Sequence, residues 1–272
     1  MMRKILLLTM LLTQALTTWA QRDTIASAKI TTTANMIGVG HTNVLDDYIS
    51  DEKYRGAEFR FLSMTDKYDP GKRTSFYRRL QLHAALPDNR AKTGSDLVGM
   101  INYALGWYKG VSGFKIQDSG LKVLVGGLVD MNFGGIYNTR GGNNCGQLRA
   151  YLNISPSAVV SYDFRLWNRT FTAQYGCELP LVGLMFSPNY GQSYYEIFTE
   201  KNSDHNIVVT TIGSTPSFRQ MLSLDIPIRT VTLRVGYMGD YQQSHVNGIK
   251  THIWTNGAML GIVKRFKLSK IR

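Results

Sequence analysis

The chain has 272 residues, 31 Lys or Arg against 19 Asp or Glu, and a formal charge of +12. That length fits one large β-barrel or one to two ordinary domains. Beyond residue 20 there is no long apolar run, which excludes a helical membrane protein and leaves a secreted soluble protein or a membrane β-barrel.

Residues 1–20 read as a signal peptide. Arg3 and Lys4 form the charged region, residues 5–16 an apolar stretch, and Thr18-Trp19-Ala20 a small-residue cleavage site. The expected mature chain is a single barrel domain, residues 21–272, with 29 basic against 19 acidic residues once Arg3 and Lys4 are removed. A basic surplus fits nucleic acid, but no basic run is interleaved with a reading motif. For an exported chain the expected partners are outer-membrane lipid and an outer-membrane or surface component, with no nucleic acid.

The mature sequence alternates apolar and polar side chains with the period of two that strands impose, and it yields ten strands. The first, residues 30–39, is Thr-rich, with Ile30, Ala34 and Met36 on one side; a charged loop is expected over residues 40–54. Ala57, Phe59 and Phe61 then oppose Glu58 and Arg60, and after the Asp69-Pro70-Gly71 turn Phe76, Leu80 and Leu82 oppose Arg79, Gln81 and His83. Leu97 to Trp107 and Leu121 to Tyr137 repeat the pattern, the second opposite Lys122 and Asp130, with turns at residues 109–119 and 139–146.

The clearest stretch runs from Leu148 to Leu181. Leu152, Ile154, Ala158, Val160, Tyr162, Phe164 and Leu166 share a face opposite Arg149, Asp163 and Arg165. After the turn at residues 167–170, Phe171 to Leu181 alternate against Thr172, Gln174 and Glu178. The first of these strands keeps its parity for some nineteen positions, where globular strands average about five or six. Three more strands follow: Leu222, Leu224 and Ile226 against Arg219 and Asp225; Val231 to Tyr241 against Arg234 and Asp240; and Trp254 to Phe266.

The polar parity thus holds Glu58, Arg60, Arg79, Lys122, Asp130, Arg149, Asp163, Arg165, Glu178, Arg219, Asp225, Arg234 and Asp240. The apolar parity holds only Arg78 and Lys264, both near strand ends, where a basic residue facing lipid costs about 0–1 kcal/mol. Aromatics fall in two bands, Trp107, Phe164, Trp167, Phe171 and Phe266 below, Tyr54, Tyr137, Phe186, Phe218, Tyr241 and Trp254 above. Short turns on one side and long loops on the other complete the expectation: an all-β, antiparallel up-and-down transmembrane barrel of about ten strands. A soluble barrel binding a small apolar ligand in its apolar interior is the alternative.

Several segments also resemble a family. They are Gly135-Ile136-Tyr137-Asn138-Thr139-Arg140, residues 184–196, Asp204-His205-Asn206-Ile207, Arg234-Val235-Gly236-Tyr237 and Val246-Asn247-Gly248-Ile249-Lys250. Together they resemble domain of unknown function 3316, from Bacteroidetes-type Gram-negative bacteria. The resemblance implies an exported, barrel-like protein and carries no activity or site residue with it.

No enzyme is expected. An omptin-type protease would need an Asp-His pair facing an acidic pair across the barrel lip, yet Asp46-Asp47 and Asp204-His205 are sequence neighbours that extended chain turns to opposite faces. A lipid hydrolase would need a lipid-facing Ser-His-acid set, and His252 has no such companions. The histidines at 41, 83, 205, 245 and 252 show no ligand spacing, and no cofactor is expected. Cys145 and Cys177 read as free thiols. Residues 183–217 lack alternation but hold Phe186, Tyr190, Tyr194, Tyr195 and Phe198, with Asp204 and His205. A structureless loop that long is uncommon, so it is expected as an ordered outer loop that caps the barrel, plugs the lumen or docks a partner. The remaining readings are an occluded structural or docking barrel, a narrow channel, and a surface enzyme.

Overall fold

A computed structural model describes residues 29–111, 120–141 and 144–268. The expected signal peptide lies outside the described residues, as do most of the 109–119 turn and two residues of the 139–146 loop. The elements are β1 (Lys29–Asp46), β2 (Ser50–Asp69), β3 (Thr74–Ala85), β4 (Asp88–Asn89), β5 (Asp96–Gly110), β6 (Gly120–Asn138) and β7 (Gly146–Leu166). After these come β8 (Arg169–Glu178), β9 (Val182–Phe186), α1 (Tyr194–Phe198), β10 (Ile207–Thr211), β11 (Phe218–Ile228), β12 (Val231–Val246) and β13 (Ile249–Leu268).

Ten strands close on themselves. β1 pairs antiparallel with both β2 and β13, and each further barrel strand pairs with its neighbours until β8 joins β7. Closure leaves no free edge across the main wall. Two-residue turns fasten it where the backbone permits both central residues a positive φ, at Trp167-Asn168 (48° and 59°) and Asn247-Gly248 (53° and 75°).

Polarity is inverted relative to a soluble barrel. Phe59, Leu82, Ile101, Phe133, Ile154 and Leu260 point outward and are exposed, whereas Glu58, Arg60, Arg79, Asp130, Arg149 and Asp240 point inward and are buried. Some outward polar residues bond across the ladder, as Ser63 Oγ does to Asn35 Oδ1 at 2.7 Å, the satisfaction that a water-poor surround favours.

The strands run further than alternation predicts. The expected 40–54 loop is ladder almost throughout, reversing only at residues 47–49. Alternation faded there because Asp51, Glu52 and Lys53 sit at the upper end, exposed to solvent. β1 is also turned over: Ala34 and Met36 are buried inside while Ile37 and Val39 face out. Tyr54, expected in the upper aromatic band, likewise points inward and is buried. Apolar side chains are needed inside too, where Met36, Leu62, Met238 and Met259 form one cluster and Val44, Tyr54, Val98, Ile136 and Ile253 another.

Residues 183–217 are ordered and contain β9, α1 and β10. The lower part of β7 pairs with β8 and its upper part with β9. The switch falls at Leu179-Pro180-Leu181, where Pro180 has no N–H to give a ladder. β8 then neighbours β11, while β9 folds back on β10 as an upper hairpin.

Glycines decide local curvature. A Cβ on Gly134 would lie 2.1 Å from the carbonyl oxygen of Gly99, whereas one on Gly127 meets nothing within 4 Å. Gly134→Val should therefore abolish the compact form that migrates faster on an unboiled gel, and Gly127→Val should retain it. Equal behaviour of the two variants would contradict this packing.

Candidate functional site

The lumen is layered. A belt of charged side chains from β2, β3, β6, β8, β11 and β12 crosses its middle, joined by the amide of Asn102 from β5. Arg219 lies at its hub, with Nε 3.1 Å from Asp240 Oδ2 and Nη1 3.2 Å from Glu178 Oε2 and 3.6 Å from Asp130 Oδ1. Arg79 bonds Glu178 and stands 3.5 Å from Asp130, while Asn102 accepts from Arg79 and donates to Asp130. Arg60 bonds Glu58 at 3.0 Å and approaches Asp240 at 3.6 Å. His83 Nε2 sits 2.8 Å from Glu58, and Gln81 donates to Asp240 at 3.1 Å. Each carboxylate has at least two partners, which offsets the loss of hydration that burial imposes on charge.

Above the belt, Arg149 bonds Asp46 at 3.1 Å and lies over the Tyr151 ring, 5.8 Å from its centroid. The Val44 cluster fills the remaining width. Cavities bordering the belt on this side measure only about 30 and 10 Å³.

Below the belt the Met36 and Leu62 cluster is followed by open space of about 650 Å³. At the lower rim Arg234 makes a two-bond pair with Asp225, at 2.5 and 2.9 Å, and Arg265 adds a third bond at 2.8 Å. Lys122 meets Asp163 at 2.9 Å on the same stretch of wall, where Thr172 of β8 lies in register between Asp163 of β7 and Asp225 of β11.

The structure therefore divides twelve of the thirteen expected lumen charges among three levels. Arg165 is the exception: it pairs across the ladder with Thr170 beside the two-residue turn and is exposed, so it belongs to no buried network. Asp46, His83 and Arg265 join the network beyond the expected set. Asp46 escaped notice because its strand end read as loop, and Arg265 because it precedes a rim aromatic at the chain's end.

The segment after β9 spreads over the upper mouth. Tyr48 Oη in the β1–β2 turn donates to the Gln192 carbonyl at 2.8 Å, and Tyr194 Oη donates to Gln147 Oε1 at 2.6 Å while accepting from the Leu148 amide. Burial pushes both phenols above their ordinary range, keeping them protonated as donors. Asn247 in the β12–β13 turn donates to the carbonyls of Ser187 and His205 at 3.0 and 2.9 Å. Phe186, Tyr194 and Phe198 stack with centroids 5.9–6.4 Å apart. The segment is a cap rather than a lumen plug, because Tyr190, Tyr195 and Phe198 are 73%, 63% and 63% exposed. Asp204 and His205 pair with each other at 3.0 Å in solvent, whereas Asp46 is turned inward onto Arg149. His252 stacks on Trp254 with centroids 4.3 Å apart. Cys145 and Cys177 are free thiols, and among the described residues no cluster has the makings of a metal site.

A closed antiparallel wall with an apolar outside and an ionised inside defines a transmembrane β-barrel. Residues 4–272 match the family described as protein of unknown function (DUF3316), and the chain belongs to that family. No curated protein matches it. Among solved structures it is similar to the outer membrane protease OmpT from Escherichia coli, at 8% identity and TM-score 0.43 over 90% of this chain and 99% of that one. The translocator domain of autotransporter NalP from Neisseria meningitidis gives 11% and 0.38, over 93% and 92%. Neisserial surface protein A gives 10% and 0.32, over 86% and 96%.

Arg219→Leu should lower unfolding stability by about 3–5 kcal/mol, since it removes the one cation shared by three buried carboxylates and leaves an excess of buried negative charge, whereas Arg165→Leu should change it by less than about 1 kcal/mol. Urea titration of the folded fraction checks both. Equal midpoints for the two variants would contradict the belt's role.

Proposed function

We propose that this chain is an exported outer-membrane barrel with a permanently closed lumen, whose capped outer end docks a surface or outer-membrane partner. The observation that carries the reading is the ion-pair belt: Arg60, Arg79 and Arg219 span the bore with Glu58, Asp130, Glu178 and Asp240 between them. Ten strands make a bore near the eight-strand size that side chains fill, the Val44 cluster backs the belt above, and the methionine cluster flanks it below along β1, β2, β12 and β13. A conducting pore needs a continuous wet path, which such a stack opposes.

The location rests on the outward face. Trp107, Val129, Phe133, Leu222 and Ile262 are exposed on the barrel wall, and an apolar surface so extensive belongs in lipid. Placing the short turns and the N-terminal end of β1 at the periplasmic side puts the cap outside. Exposed rings on an otherwise hydrogen-bonded cap are the kind of rigid anchor that interfaces favour.

In planar bilayers the purified wild type should give no steady conductance, and an Arg79→Ser/Arg219→Ser/Glu178→Ser variant should gain one. Stable open-channel current from the wild type would replace this reading with the narrow channel.

A further inference from the structure

The lower half of the lumen lies beneath the belt, whose Arg79, Glu178 and Arg219 form its ceiling, and it takes no part in the cap. Its cavity of about 650 Å³ lies within the roughly 300–1,000 Å³ range of small-molecule sites. Leu62, Met64, Met221 and Met238 line its inner part, continuous with the methionine cluster beneath the belt. Unbranched thioethers adapt to flexible apolar chains without a fixed shape.

The mouth is charged. Lys122, Arg234, Arg265 and Lys267 line it together with Asp66 and Asp163, and Asp225 sits behind Arg234. Four cations thus face three carboxylates. The surplus is one cation: Asp225 bonds both Arg234 and Arg265, Asp163 is taken by Lys122 and the Thr172 hydroxyl, and Lys267 at the rim is exposed. The Arg265 side chain is 46% exposed, so its remaining donors are presented to the opening.

We infer that this cavity binds a single-chain amphiphile with one anionic head, entering from the lower mouth, its chain against the Leu62–Met238 floor and its head at Arg265 and Lys267. The belt closes the route from above, so the ligand reaches the site from the side of the short turns. A neutral or cationic amphiphile would leave the surplus guanidinium uncompensated, and a short acid would leave the methionine floor bare. A carboxylate head and a phosphate head share this chemistry.

The test uses the full mature chain in nanodiscs of phosphatidylcholine and palmitate bearing a chain-terminal diazirine, with cross-links mapped by mass spectrometry. Labels should fall on Leu62, Met64, Met221 or Met238. Ser161→Trp, which fills the cavity from β7, should cut that inner labelling about ten-fold, as should Arg265→Gln through the lost charged bond. Arg265→Gln leaves the Arg234–Asp225 pair intact, and gel mobility of unboiled samples confirms that both variants fold. Unlabelled palmitate and lysophosphatidic acid compete if the site takes either head, and the stronger competitor identifies the source. Labels confined to outward residues such as Phe133 and Leu260 would overturn the inference. So would inner labelling unaffected by both substitutions, or equal competition by a long-chain amine.

Discussion

Confinement of charge within a narrow bore is the constraint on which the structure depends. An Arg such as Arg219, almost wholly buried, has no water to fall back on, so its carboxylates must arrive from other strands at hydrogen-bonding range. Glu178 comes from β8, Asp130 from β6 and Asp240 from β12. Those partners meet only if the sheet has closed with the right register. The belt thereby couples strands far apart in sequence, as when Arg79 of β3 bonds Glu178 of β8, ninety-nine residues away. A slip of one residue would turn every such side chain to the outer face, where an apolar surround would leave it unpaired.

The outer face obeys the complementary rule. In water an exposed belt of Phe, Leu, Ile and Val would drive aggregation, and in lipid it is the favourable side. Inversion also explains the asymmetry along the bore. Its upper half is packed by Val44, Val98 and Ile253 and roofed by a hydrogen-bonded cap, while its lower half stays open. One end is built to exclude and the other to admit.

Much of this was legible in the chain, because alternation records which face a strand residue takes. Strands from Phe76 to Phe266 could be placed on their faces, and most inward charges named, before any coordinates. Alternation failed where both faces share a character. In β1, Met36 is apolar and inside while Asn35 and Asn43 are polar and outside, so the pattern reads backwards. At the upper end of β2, Asp51 to Lys53 lie in a break of register and are all solvated, which erases the signal altogether. β9 and β10 are too short to show a period, and the cap's order comes from single bonds such as Tyr48 to Gln192, separated by 144 residues. Pairing partners are a property of register, and register is invisible to a reading of faces.

The central claim, an apolar wall in lipid around an occluded, ionised bore, is tested most directly by spin labels placed singly along β6 of the reconstituted protein. At Val129, Met131 and Phe133 the labels should be accessible to oxygen dissolved in the bilayer and shielded from a water-soluble nickel chelate. At Asp130 and Asn132 they should be shielded from both. High accessibility to the chelate at Asp130 and Asn132 would mean a water-filled pore, and chelate access at Met131 and Phe133 would remove the wall from the membrane.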